Sequence, residues 1–166
     1  MKLLPLSLIA TLLVSSSALA LSTDQDQPIY IDSDSQQLDM QSNKVTFSGD
    51  VKLKQGSINI HADEIIVFRD PNSGEIKEIK GFGSLATFSQ LTDDGKTLYG
   101  EAKEMYYKMA DDQLTMINQA MLRQDDSEIR GKKIRYRISS QTLIADGNRQ
   151  SGERVSTILQ PQAAQK

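Results

Sequence analysis

From Lys44 to Lys54 the chain alternates. Val45, Phe47, Gly49, Val51 and Leu53 are apolar or small, and Lys44, Thr46, Ser48, Asp50, Lys52 and Lys54 stand between them. A period of two over such a run marks a strand with one buried face. Gln55-Gly56 supplies a turn, and Ile58, Ile60 and Ala62 open a second alternating strand. Its apolar parity then changes, because Ile65 and Val67 are odd positions where Ile58 and Ile60 are even. A strand keeps one face buried through such a change only at a bulge or corner, here Ala62-Asp63-Glu64. Further strands are predicted at Leu85 to Leu91, Leu98 to Met109, Gln113 to Leu122, Ile129 to Ile138, Thr142 to Ala145 and Val155 to Leu159. Asn72-Ser73-Gly74, Asp93-Asp94-Gly95, Asp111-Asp112, Asp125-Asp126 and Asp146-Gly147 supply turns between them. Gly81-Phe82-Gly83 lacks the strand-to-helix setting of a phosphate loop and reads as a strand break. No helical period persists, and short connections imply antiparallel pairing, so the domain is all-β.

The segments also repeat. A shift of 69 positions carries Val45, Phe47, Val51 and Leu53 onto Leu114, Met116, Ala120 and Leu122. It then carries Ile60, Ala62, Ile65 and Val67 onto Ile129, Gly131, Ile134 and Tyr136 without a gap. The corner motif, a small residue, two mostly polar ones and renewed alternation, begins at Ser33, Ala62, Ala102 and Gly131. Corners at this spacing suggest repeated strand units laid side by side, the competing architecture being one ordinary sandwich. A stack of units leaves an edge at each end of the chain, and such an edge must be covered, blunted or used.

Composition narrows the chemistry. Met1-Lys2, the apolar run Leu3 to Val14 and Ala18-Leu19-Ala20 have the order of a Sec-type signal peptide, so residues 1–20 are expected to be a cleaved leader and the remainder to reside in the periplasm. The run is too short to span a bilayer. With no Cys, thiol nucleophiles, disulfides and Cys-type zinc sites are excluded, and a single His leaves no multi-His metal cluster. The formal net charge is −3, and without basic blocks the chain is a poor nucleic-acid ligand. Gln160 to Lys166 is polar, contains Pro161 and is expected to fray.

The segments Gln27 to Met40, Val45 to Val67 and Gly100 to Met109 resemble the OstA-like domain family over nearly all of residues 24–159. The pattern F-x-G-x-V-x-x-x-Q-G followed by I-x-A-D, here Phe47, Gly49, Val51, Gln55, Gly56, Ile60, Ala62 and Asp63, carries the likeness. What the resemblance implies is a twisted, open-ended antiparallel β-jellyroll that stacks head to tail with copies of itself. It implies a bridge carrying lipopolysaccharide from an inner-membrane transport complex, through an LptC-like contact on the N-terminal side, to an outer-membrane translocon, through an LptD-like contact on the C-terminal side. It also implies a non-enzymatic protein without cofactors, whose cargo slides with acyl chains inside and sugars outside. A periplasmic lipid-shuttling chaperone is the alternative, and would need a closed cavity and no head-to-tail assembly.

Strand parity nominates the lining of such a groove: Ile29, Ile31, Phe47, Ile60, Phe88, Tyr107, Met109 and Met116, with other inward aliphatics packing as core. Phe88, Tyr107 and Met109 head this set because they sit mid-chain, where a groove has walls on both sides, and methionine adapts to irregular shapes. The charged features invite plainer readings. Asp24, Asp26, Asp32 and Asp34 lack the glycine and terminal glutamate of a calcium loop. Lys132, Lys133, Arg135 and Arg137 read as a solvated strand face, with phosphate contact the alternative. His61 points opposite Ile60, and nothing marks a nucleophile beside it. Adjacent strand carboxylates such as Asp63 and Glu64 point to opposite faces and so do not flank one glycosidic bond.

Overall fold

The structure is a computed structural model that describes residues 24–160; the expected leader and residues 161–166 lie outside the described residues. A 3-10 turn, Asp24–Asp26, precedes β1 (Ile29–Asp32), β2 (Ser35–Asp39), β3 (Lys44–Gln55), β4 (Ile58–Arg69), β5 (Ile76–Leu91), β6 (Thr97–Lys108), β7 (Gln113–Gln124), β8 (Ser127–Arg137), β9 (Thr142–Asp146) and β10 (Ser156–Ile158). Strands β3 to β8 follow one another as antiparallel hairpins in a single sheet. Both β1 and β2 pair with β3, and both β9 and β10 pair with β8. Each edge of the sheet is therefore made from two short strands.

Every long strand is interrupted near its middle. The register breaks between Ser48 and Val51, His61 and Glu64, Phe82 and Ala86, Glu101 and Glu104, and Ile117 and Ala120. These breaks align into one crease that folds the sheet into two facing leaves. The first leaf holds β1, β10 and the halves of the long strands around Leu53, Ile60, Phe88, Gly100 and Leu122. The second holds β2, β9 and the halves around Val45, Val67, Ile79, Tyr107 and Leu114. The result is a twisted, open, antiparallel β-jellyroll.

The 69-residue repeat recurs in backbone geometry. Gly49 and Asp50 in β3 both have positive φ, 84° and 41°, and so do their counterparts Asn118 and Gln119 in β7, 64° and 56°. Consecutive left-handed residues turn the chain sharply, a conformation that glycine and asparagine tolerate best. The corners expected at Ala62 and Ala102 fall in the register breaks of β4 and β6, and the one at Gly131 sits opposite Ala120. The one at Ser33 separates β1 from β2.

One expectation is corrected. Gly81-Phe82-Gly83 does not break a strand: β5 begins at Ile76, nine residues before Leu85, and runs through all three. Gly81 lies on the inward parity with Ile79, opposite Ile65 and Met105, where a Cβ would stand 3.7 Å from that of Ala62. That is ordinary contact, so the glycine marks neither a tight fit nor a strand end; the register of β5 breaks just after it, between Phe82 and Ala86. The core is the apolar layer between the leaves, from Val45 through Phe88 and Met116 to Ile138.

Candidate functional site

The space between the leaves is the candidate site. Of the eight residues that parity nominates, Ile29, Ile31, Ile60 and Phe88 line the first leaf, and Phe47, Tyr107, Met109 and Met116 the second. Ile60, Phe88, Tyr107 and Met116 are buried, Phe88 at 1% exposure and Met116 at 0%, while Ile29, Ile31, Phe47 and Met109 are partly buried against the same core. The leaves touch directly: the Phe88 ring meets that of Tyr136 at 6.2 Å between centroids, and Met116 fills the space over Gly100, where a Cβ would stand 2.9 Å from its sulfur. An apolar ligand entering here has to part the leaves.

At the C-terminal end the apolar interior reaches the surface. Leu98, Leu122, Ile129 and Leu143 line a depression of about 210 Å³ that is completed by Ile158 and Leu159. Its walls come from both leaves and from β10, so the edge strand borders the opening.

Beside it, where Gln90 of β5 pairs with Leu98 of β6, the same rim is polar. Asp24 is 4% exposed, and its carboxylate accepts hydrogen bonds from the Ser57 backbone N–H at 2.7 Å, the Ser57 hydroxyl at 2.6 Å and the Gln90 amide at 3.4 Å. The Gln55 amide donates to the carbonyls of Gln25 and Gln27, at 3.0 and 3.1 Å. From the second leaf the Tyr136 hydroxyl donates to Gln90 Oε1 at 3.3 Å. Burial chiefly, with the nearby negative charges of Asp112 and Asp93, pushes the Tyr136 hydroxyl up to about 12. Tyr107 is shifted in the same direction by burial first, then by Asp112, to which it donates at 3.4 Å, and by Asp24. Both phenols are thus held neutral.

From the sequence, Gln55 stands out only as a turn and pattern residue and Asp24 only among acids weighed for calcium, and Gln90 does not stand out. Gln55 shares the inward parity of Val51 and Leu53, and Gln90 that of Ala86 and Phe88, so a polar side chain on the buried face at a strand end was the available signal. Asp24 offered none, since it reads as one of several surface acids.

Apart from the buried Asp24, the charged features lie outside the leaves. His61 is exposed and paired with Asp50 at 2.6 Å, and Asp50 is held below the usual carboxylate range by hydrogen bonds from Lys52 first and His61 second. Asp63 and Glu64 fall within the β4 corner, where alternation is suspended between inward Ala62 and Ile65; neither is buried, and Asp63 accepts the Ser84 N–H at 3.0 Å. Arg135 is bound to Asp146 at 2.7 Å. Among the described residues no helix is long and apolar enough to cross a membrane.

Residues 30–142 match the family described as "LptA/(LptD N-terminal domain) LPS transport protein". The chain is 44% identical over 164 residues to the lipopolysaccharide export system protein LptA of Escherichia coli K12, covering 98% of this chain and 87% of that one. It is 42% identical over 162 residues to LptA of Haemophilus influenzae, covering 97% and 93%. The lipopolysaccharide export system protein LptH of Pseudomonas aeruginosa is 30% identical over 146 residues, covering 86% and 81%. The crystal structure of LptH, titled as the periplasmic component of a lipopolysaccharide transport device, superposes with a TM-score of 0.76 at 24% identity over 84% of this chain and 99% of that one, a likeness of fold. The chain belongs to the LptA/(LptD N-terminal domain) family of lipopolysaccharide transport proteins.

Proposed function

We propose that this chain binds lipopolysaccharide in the periplasm by its acyl chains, between the two leaves, and conducts it toward the outer membrane as one unit of a head-to-tail bridge. Burying a methylene contributes about 0.8 kcal/mol, so partial burial of one long acyl chain supplies several kcal/mol without an ionic anchor. The leaves part along their rims to admit the chain, and the sugars stay outside.

The observation that carries the bridge is where the exposed large hydrophobic residues lie. Apart from Leu85 and Leu91, those among the described residues cluster at the two sheet edges. Tyr30, Leu38 and Met40 are on or beside β1 and β2; Ile144, Val155, Ile158 and Leu159 are on or beside β9 and β10. Edge strands offer unpaired N–H and C=O groups, and apolar side chains beside them turn that hazard into a docking surface. The N-terminal edge would meet an LptC-like domain of the inner-membrane complex. The C-terminal edge would meet the next copy or an LptD-like domain of the translocon.

Light scattering over a concentration series tests the assembly. Growth beyond dimers is expected as concentration rises. A strict monomer throughout would contradict the bridge and favour a shuttle that carries lipid singly.

A further inference from the structure

Resting on the reading of the chain as one unit of a head-to-tail bridge, we propose that the N-terminal turn Asp24–Asp26 is a clip that holds β1 ready as a docking strand for β10 of a second copy. Strand β1 has little to hold it: it spans four residues, pairs with β3 alone, and none of the four is buried. An edge strand with so few buried contacts opens readily. The turn just before it is anchored within the same leaf. Asp24 is tied to Ser57 and Gln90, and Gln55, the pairing partner of Ile29, holds the carbonyls of Gln25 and Gln27 through its side chain. A buried carboxylate is costly unless its oxygens are satisfied, so the three donors make a seat specific to Asp24, and a Cβ on Gly56 would overlap Asp24 Oδ1. Strand β1 thus starts two residues after a fixed point.

The pairing pattern argues for a second copy as the occupant. From β1 through β3 to β8 and β10 every neighbouring pair is antiparallel, and the order holds eight strands, so β1 and β10 run in opposite directions. A second copy stacked in the same orientation therefore brings its β10 antiparallel to β1, the direction in which the sheet already pairs. The side chains agree with this. The row of paired residues that starts at Tyr30 crosses the first leaf through Lys54 and Ser89 and ends unbroken at Ile158, and both ends are exposed, at 64% and 53%. In the second leaf the row that starts at Leu38 ends at Leu143. One register continues both rows: it sets Tyr30 against Ile158 of the second copy and Leu38 against its Leu143, burying apolar groups across the joint.

The test is assembly, followed by sedimentation over a concentration series. Hydrogen bonds to a charged group are the strong ones, so Asp24→Ala is expected to weaken self-association on the order of tenfold, the factor by which the docking-ready population of β1 falls. Its circular dichroism spectrum should be unchanged and amide hydrogen exchange at Ile29 to Asp32 faster. Asp24→Asn, which keeps an acceptor for the Ser57 N–H, should recover part of the loss. Asp24→Ala still carries an intact β10, so when mixed with the unaltered chain it should cap growing oligomers and shorten them. Assembly of Asp24→Ala equal to that of the unaltered chain would overturn the clip and leave the bridge standing. Weak assembly without shortening in the mixture would mark a general folding defect and overturn the clip as well. An unaltered chain that stays monomeric at every concentration would overturn the bridge, and the clip with it.

Discussion

Tyr136 shows how one residue can be both wall and tie. Its ring packs against Phe88 while its hydroxyl reaches Gln90, and burial with nearby negative charge holds the phenol neutral up to about 12. In the unfolded chain it ionises near its ordinary value of 10.0. Below that pH the folded state keeps the full contribution. Between it and the folded value only the unfolded state gains from ionising, so stability falls as pH rises, by on the order of 2 kcal/mol for a shift of this size. Chemical denaturation at a series of alkaline pH values should show this loss, and Tyr136→Phe should reduce it. An unchanged slope in Tyr136→Phe would assign the loss elsewhere, Tyr107 being shifted in the same direction. The inward identity of Tyr136, like that of Phe88 and Met116, was legible in the sequence because alternation puts it on the buried parity. Its hydroxyl partner was not, since Gln90 lies 46 residues away and only the fold unites them.

At the scale of elements, what was legible depended on how many residues a corner inserts. Between the paired stretches of β3 and β4, β3 carries two extra residues, Gly49 and Asp50, whereas β4 carries one, Asp63. An odd insertion flips the parity of the apolar positions and shows in the sequence as the step from Ala62 to Ile65. An even insertion preserves parity, so Val45, Phe47, Val51 and Leu53 read as one uninterrupted strand and the crease at Gly49 is invisible. Asn118 and Gln119 hide the β7 corner in the same way. The first half of β5 was lost for a different reason: its inward positions include Gly81, which carries no hydrophobic signal. The edges make the element-scale prediction. Strand β10 spans three exposed residues, Ser156–Ile158, paired to Glu128, Ile129 and Arg130, so little of the fold depends on it. Deleting Val155 to Lys166 should leave the circular dichroism spectrum and melting temperature nearly unchanged while impairing self-association in sedimentation. Oligomers of undiminished size would remove β10 from the docking surface.

For the whole molecule the creased sheet explains why so polar a chain suffices. Each leaf needs apolar residues on one face only, and the two inner faces supply one another's burial while the edges stay available at both ends. Among the described residues the interior carries aliphatic, methionine and aromatic groups, and its buried polar cluster, Asp24 included, sits at the rim. The central claim is that this interior, and not the outer face, is the path. Site-specific photocrosslinking tests it directly, with the reporter placed in turn at Phe88, Tyr107 and Met109, which face between the leaves, and at Thr87 and Lys108, which face outward on β5 and β6. Lipopolysaccharide adducts are expected at the three inward sites and not at the two outward ones. Adducts at Thr87 and Lys108 with none at Phe88, Tyr107 and Met109 would contradict the account.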